Sequence, residues 1–194
     1  MLMAAAVFAL TLAACSHKSQ NSQTAEETTD SVSNSKVLVA YFSASGVTEG
    51  VAKQLAEVTG GDLHQIQPEQ PYTEADLDWR DKQSRSTLEM GDKAFRPLIA
   101  KKVWNINEYD TVFVGFPIWW YVAPTIVNTF LENNDMRGKK LAFFATSGTS
   151  GLGDTVKELS PSCPFSEIIG AKRFAADAPA EELGAWAKEI MPAE

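Results

Sequence analysis

Two cysteines and two histidines in 194 residues leave little material for a disulfide framework, a metal centre or a histidine-based triad. His17 lies in a polar stretch and His64 in a segment that reads as a strand, so they form no ligand cluster; His64 reads as structural and no metal is expected. Basic residues are also scarce. Seventeen Lys and Arg stand against 25 Asp and Glu, a formal net charge of -8, and affinity for phosphate backbones depends on clustered Lys and Arg. The balance argues against a nucleic-acid partner and favours small ligands or basic protein partners. The first fourteen residues are uncharged and mostly apolar, but too short for a spanning helix of about 20 residues. What is present, 44% hydrophobic and 22% charged residues, suits one globular α/β domain with a real core.

The apolar opening Met1 to Ala14 has the length of a signal h-region. Leu12-Ala-Ala-Cys15 resembles the lipobox of bacterial lipoproteins, in which small residues admit the peptidase and the cysteine takes the lipid. A plain apolar N-terminus is the other reading. It is favoured by the missing positive n-region, a gap that a start site further upstream would explain. Ser16 to Ser35 is rich in Ser, Gln, Thr, Asn and Glu, with Val32 its only large apolar residue, and reads as a tether unable to bury enough surface to fold. The expected organisation is a signal peptide over 1–14, a tether over 15–35 with Cys15 as lipid attachment point, and a folded domain over 36–194. That places the protein in a bacterial cell envelope, anchored to a membrane and facing the periplasm or exterior; Ser16 hints at outer-membrane sorting. Cys163 is then left without a disulfide partner, and between Ser162 and Pro164 it reads as a small loop residue rather than a nucleophile.

From Lys36 the pattern changes. Lys36 to Phe42 is a continuous apolar and β-branched run, as for a strand covered on both faces. A helix follows with Val47, Val51, Leu55 and Val58 on one face, ended by Gly60 and Gly61. Further strands are expected at Asp62 to Gln67, Thr111 to Phe116, Lys140 to Ala145, and between Glu167 and Ala175. Helices are expected after Pro124, with Ile126, Val127, Phe130 and Leu131 inward, after Gly151, and from Pro179 through Leu183, Trp186, Ala187 and Ile190. Strand and helix alternate, which predicts a parallel sheet with helices on both faces.

Ligands of such sheets bind beyond the carboxyl ends of the strands, where three unusual loops fall. Ser43-Ala-Ser-Gly-Val-Thr48 enters a helix N-terminus, whose free N–H groups and dipole favour an anion. Ser43, Ser45 and Thr48 offer hydroxyl donors, and Gly46 lets the backbone curl as a nest. The loop has no Lys or Arg, no Gly-Lys-Ser/Thr ending and no Gly-x-Gly-x-x-Gly, so a terminal monophosphate suits it better than a triphosphate or dinucleotide. Pro117-Ile-Trp-Trp-Tyr121 offers aromatics to a flat heterocycle. Thr146-Ser-Gly-Thr-Ser-Gly151 offers a polar backbone able to approach a ring edge closely.

Val39-Ala-Tyr-Phe-Ser-Ala-Ser-Gly-Val-Thr48 resembles the flavodoxin phosphate signature, Ser/Thr-x-Ser/Thr-Gly-x-Thr. Pro71-Tyr72, Asp76-Leu-Asp-Trp79, Ser84-Arg-Ser86, Glu89-Met90, Arg96-Pro97, Pro117-Ile-Trp-Trp120 and Ala145-Thr-Ser-Gly148 look like a bacterial subfamily of flavodoxin-like proteins, over residues 36 to 190. The resemblance implies a three-layer α/β sandwich with a five-stranded parallel sheet in order 2-1-3-4-5, an architecture for which flavodoxin is itself a standard example. It also implies flavin mononucleotide (FMN) as cofactor. Ser43, Ala44, Ser45, Gly46, Val47 and Thr48 would hold the phosphate. Pro117, Ile118, Trp119, Trp120 and Tyr121 would line one side of the isoalloxazine, and Thr146, Ser147, Gly148, Thr149, Ser150 and Gly151 the other.

The implied role is an FMN-binding redox protein, working with a redox partner protein or reducing a small quinone-like acceptor; no catalytic residue follows. A non-catalytic lipoprotein using the same scaffold for protein contacts is the alternative. Val47 stands where relatives often have Asn, and Tyr121 where they often have Gly, whose mobile peptide supports one-electron chemistry. The charged segment Pro71 to Arg96 reads either as a solvated, salt-bridged helix or as a rim that covers the cofactor or receives a substrate.

Overall fold

The computed structural model describes residues 35–191. The apolar opening, Cys15 and the tether up to residue 34 lie outside the described residues, as do residues 192–194. Strands β1 (Val37–Tyr41), β2 (Asp62–Gln65), β3 (Thr111–Pro117), β4 (Lys140–Thr146) and β5 (Glu167–Phe174) form one parallel sheet in order β2-β1-β3-β4-β5, as the resemblance implies. The helices are α1 (Val47–Thr59), α2 (Arg85–Gly91), α3 (Thr125–Asn133), α4 (Thr155–Leu159) and α5 (Ala180–Ile190).

Side chains alternate across a pleated strand, so a strand buried on both faces feeds two cores. Leu38 and Ala40 of β1, with Phe42 just after it, join Val112, Val114, Phe116, Leu141 and Phe143 beneath α3 and α4. Val37, Val39 and Tyr41 join Phe113, Ala142, Phe144 and Phe174 beneath α1 and α5. Gly115 falls on the second face, where the Phe144 ring occupies the space a side chain would need. Burial of these large side chains stabilises the fold by about 1.5–3 kcal/mol each before entropy is counted.

Two details differ from the sequence reading. Val47 and Val58 are not core residues: they are 40% and 41% exposed, and the buried face of α1 is Thr48, Val51, Ala52 and Leu55. A hydroxyl, not a methyl group, is drawn inward at the first turn because Thr48 finds a partner on β4. The second strand ends at Gln65 rather than Gln67, because Gln67 leaves the ladder and its carbonyl accepts from the Ala100 N–H at 2.8 Å. The predicted stop of α1 is found, with Gly60 at φ 64° and the Gly61 N–H returning to the Ala56 carbonyl at 3.0 Å. Cys163 is buried, and its thiol is pushed up in pKa by that burial, which suits a packing role.

His64 sits half-buried on the edge strand, and its Nε2 has no hydrogen-bond partner among the described residues. Burial first, and the charge of Lys101 second, hold its pKa below the ordinary value of 6.5. The native chain therefore resists a proton that the unfolded chain accepts, so stability is full above pH 6.5 and falls as pH drops through that value. Urea midpoints at pH 7.5 and 5.5 are expected to differ more for the native protein than for His64→Leu.

Candidate cofactor site

The three loops meet at the carboxyl edge of β1, β3 and β4, and one residue ties them together. Thr146 Oγ1 lies 2.8 Å from Thr48 Oγ1, joining the third loop to the first, and the Thr146 carbonyl accepts from the Ile118 N–H at 3.1 Å, joining it to the second. Both threonines are buried, at 4% and 1% exposure. Thr48 thus braces the first loop against the third through its hydroxyl. Arg173, unremarked in the sequence, donates from Nη1 to the Ser147 carbonyl at 2.9 Å and holds the third loop from β5. Within that loop the Ser150 N–H donates to Ser147 Oγ at 2.9 Å, and Gly148 and Gly151 have open space beside them.

The first loop is built as a cradle. Gly46 caps α1 with φ 86°, and its N–H donates to Ser43 Oγ at 3.1 Å. The N–H groups of Val47, Thr48 and Glu49 have no acceptor among the described residues, and a side chain at Gly46 would meet nothing within 4 Å. Unpaired helix-terminal donors facing open space make an anion site. Glu49 is held by Lys53 at 2.6 Å, which partly offsets its negative charge beside the cradle.

The aromatic loop divides its three large residues. Trp119 packs edge-on against Phe42 and Tyr72, with ring centroids 5.5 and 5.4 Å away, while Trp120 and Tyr121 are exposed. Trp119 and Val122 exchange N–H to carbonyl bonds of 2.9 and 3.0 Å, closing a two-residue turn with Trp120 at φ 45° and Tyr121 at φ 69°. This is the left-handed, I′-type geometry that ordinarily takes Asn-Gly. Gly153 supports it from below: a Cβ there would lie 2.4 Å from the Tyr121 carbonyl oxygen. Relieving one strained position should help, since a left-handed non-glycine residue costs about 1–2 kcal/mol. Tyr121→Gly is expected to raise the melting temperature of the cofactor-free protein by roughly 2–4 °C, read by thermal denaturation.

The charged segment after β2 is neither a long solvated helix nor plain loop. A single 3-10 turn spans Ala75–Leu77, and α2 has seven residues, begun by Ser84, whose side chain accepts from the Thr87 N–H. Arg80 pairs with Asp78 and Arg85 with Glu89, as one reading held in part, but Glu89 is only 4% exposed. The Tyr72 O–H donates to Glu89 Oε2, Arg85 Nε donates to Oε1 at 2.6 Å, and the Arg85 guanidinium stacks 4.1 Å over the Tyr72 ring. Burial, then the Glu89 contact, push the Tyr72 hydroxyl well above the usual phenol range, so it stays a donor at every physiological pH. This network buttresses Trp119 from behind. No spacing rule would have found it, because Tyr72 and Glu89 meet only through the path of an irregular segment.

Residues 36–190 match the flavodoxin family. The chain belongs to that family. Its fold superposes on a protein from Bacteroides eggerthii DSM 20697 designated a flavoprotein, with 45% identity and a TM-score of 0.78 over 82% of this chain and 100% of the other. A similarly designated protein from Bacteroides uniformis ATCC 8492 is also 45% identical, with a TM-score of 0.76 over 79% of this chain and 98% of the other. A flavoprotein from Lactobacillus acidophilus NCFM, solved in complex with FMN, is 25% identical with a TM-score of 0.61, covering 79% of this chain and 99% of its own. No curated protein matches the chain. Against this flavodoxin background, the cradle, the aromatic turn and the Thr146 loop stand at the carboxyl edge where the fold places its ligands.

Proposed function

We propose that this protein binds FMN and serves as a redox protein, passing electrons to a partner protein or reducing a small quinone-like acceptor. The observation that carries the reading is the cradle of unpaired N–H groups at the start of α1, braced by Thr48 and Thr146. The FMN found in the Lactobacillus acidophilus relative supports it. Ser43, Ala44, Ser45, Gly46, Val47 and Thr48 surround the phosphate, largely through the main chain. Pro117, Ile118, Trp119, Trp120 and Tyr121 flank the ring on one side, and Thr146, Ser147, Gly148, Thr149, Ser150 and Gly151 on the other.

Bound FMN supplies the redox chemistry. The residues of this chain hold and orient it, exclude water from part of the ring and set the local charge. The cradle meets a dianion with backbone dipoles and hydroxyl groups and without a cationic side chain, since the loop contains no Lys or Arg. Hydrogen bonds to a charged group are worth about 1.5–3 kcal/mol each. Riboflavin, which lacks the phosphate, is therefore expected to bind at least about a hundredfold more weakly than FMN. Titration of both flavins followed by their fluorescence tests this; equal affinities, or no FMN binding at micromolar concentration, overturn the reading. Turnover with NAD(P)H and a quinone, against inactivity without a separate reductase, distinguishes an enzyme from a carrier.

For the N-terminal part the proposal is a signal segment over 1–14, lipid on Cys15 and a tether over 15–35, carrying the domain on the outer side of a bacterial membrane. Metabolic lipid labelling of the native protein and of Cys15→Ser tests this. Labelling of the native chain alone is expected, and no label in either removes the anchor.

A further inference from the structure

A cavity of about 630 Å³ lies along α3, between that helix, α4 and the strap of residues 93–96, roofed by the Trp120–Tyr121 turn. It is within the range of small-molecule sites. None of the residues 43–48 or 146–151 lines it, so it lies apart from the cradle and meets the cofactor loops only through the shared turn.

Its walls are held by charge. Arg96 makes a two-point pair with Glu132, Nε and Nη2 at 2.9 and 3.0 Å, and Lys93 reaches Glu158 at 2.6 Å, so the strap is pinned to α3 and α4. Asp154 also lines the space and has no ion-pair partner among the described residues, leaving two bases against three carboxylates. In the wall stands Asn128, 8% exposed. Its Nδ2 donates to Ser162 Oγ at 3.0 Å and to the Glu158 carbonyl at 3.3 Å, while its Oδ1 has no partner among the described residues. The residue is nearly buried, but this oxygen is not sealed off and remains open to the cavity as a free acceptor. Thr125, one turn earlier on the same helix, also borders the space, and its sealed hydroxyl has no partner among the described residues.

These features select the occupant. Unpaired acceptor capacity asks for an N–H or O–H donor, the surplus carboxylate favours a positive charge and disfavours an anion, and Trp120 and Tyr121 offer aromatic surface that attracts rings and cations alike. We propose that this cavity is a second ligand site, distinct from the cofactor cradle, for a small aromatic cation carrying a hydrogen-bond donor, of the arylalkylamine class. The donor meets Asn128 Oδ1, the positive charge lies toward Asp154, and the ring packs under the turn. The site does not rest on the FMN reading, because of its lining residues only Trp120 and Tyr121 belong to the loops assigned to the cofactor.

Three probes of similar shape and different charge test it on the full chain: tyramine, 4-ethylphenol and 4-hydroxyphenylacetate. Nuclear magnetic resonance titration is expected to give tyramine the highest affinity, with 4-ethylphenol weaker by about twofold to fivefold, the worth of a partly exposed charge contact. 4-Hydroxyphenylacetate should bind weakest, and shifts should centre on the Asn128 side-chain amide. Asp154→Asn, an exposed change that leaves the core intact, is expected to weaken tyramine by a similar factor and to leave 4-ethylphenol unchanged. Equal affinities for the three probes, shifts centred away from Asn128, or an unaltered tyramine affinity in Asp154→Asn overturn the proposal. So does displacement of tyramine by saturating FMN, which would mean that the probe occupies the cofactor slot. Tyramine binding that persists while FMN fails to bind would remove the cofactor reading and leave this site standing.

Discussion

Replacing Gly115 by alanine is expected to lower the melting temperature by roughly 6–12 °C. The added Cβ would stand 2.1 Å from Cζ and 2.3 Å from Cε2 of Phe144, a ring with no exposed surface. Tyr41 and Phe144 are the residues paired with Gly115 on the neighbouring strands, so the ring is hemmed in along the sheet as well as by the helices above it. Overpacking of this kind costs about 3 kcal/mol, since neither the ring nor the central strand has room to yield. A double-mutant cycle identifies the cause: Phe144→Leu alone destabilises by opening space, and combined with Gly115→Ala the total should be smaller than the sum of the single changes. Strict additivity in urea unfolding would mean that the clash is not the source.

Gly153→Ala should act on the cofactor loops. The residue has φ 51°, and its new Cβ would fall 2.4 Å from the carbonyl oxygen of Tyr121. A main-chain oxygen cannot rotate out of the way as a side-chain tip can. Alanine in the left-handed region costs about 1–2 kcal/mol by itself, and the remaining strain is relieved only by moving the Trp119–Val122 turn. FMN affinity is therefore expected to fall at least about tenfold, a change of about 1.4 kcal/mol, in a fluorescence titration. Gly148→Ala and Gly151→Ala are the controls for stability. Both have open space and ordinary φ, so the cofactor-free protein should keep its midpoint within about 0.5 kcal/mol. Unchanged FMN affinity in Gly153→Ala would detach the turn from the cofactor site.

Both predictions depend on contacts absent from any linear pattern. The hydrophobic runs at Lys36–Phe42, Thr111–Phe116 and Lys140–Ala145 made the central strands legible, because a strand covered on both faces must be apolar throughout. The inward set Ile126, Val127, Phe130 and Leu131 was legible from helical spacing, and the glycines that stop α1 from their tolerance of a left-handed backbone. The edge was less so: nothing local marks Gln67 as a residue that turns to pair with residue 100. Val47 and Val58 misled because helical spacing identifies a stripe, whereas the packing partner decides where the stripe is centred. At the candidate site, the cradle was readable from its small residues and its missing cations. The brace from Thr48 to Thr146, the Tyr72–Glu89–Arg85 support behind Trp119 and the strained Trp120–Tyr121 turn were not, since each joins residues brought together only by the folded chain.

By itself the order of residues determined the alternation of strand and helix, the parallel sheet, and the placing of three unusual loops at strand ends, because periodicity and turn chemistry are local properties of the chain. Tertiary structure alone decided that Thr146 binds those loops together, that Gly115 and Gly153 have no room for a methyl group, and that Asn128 faces a cavity with an unpaired oxygen. Close packing and hydrogen-bond satisfaction depend on which distant atoms arrive at the same place, and only the complete fold specifies that.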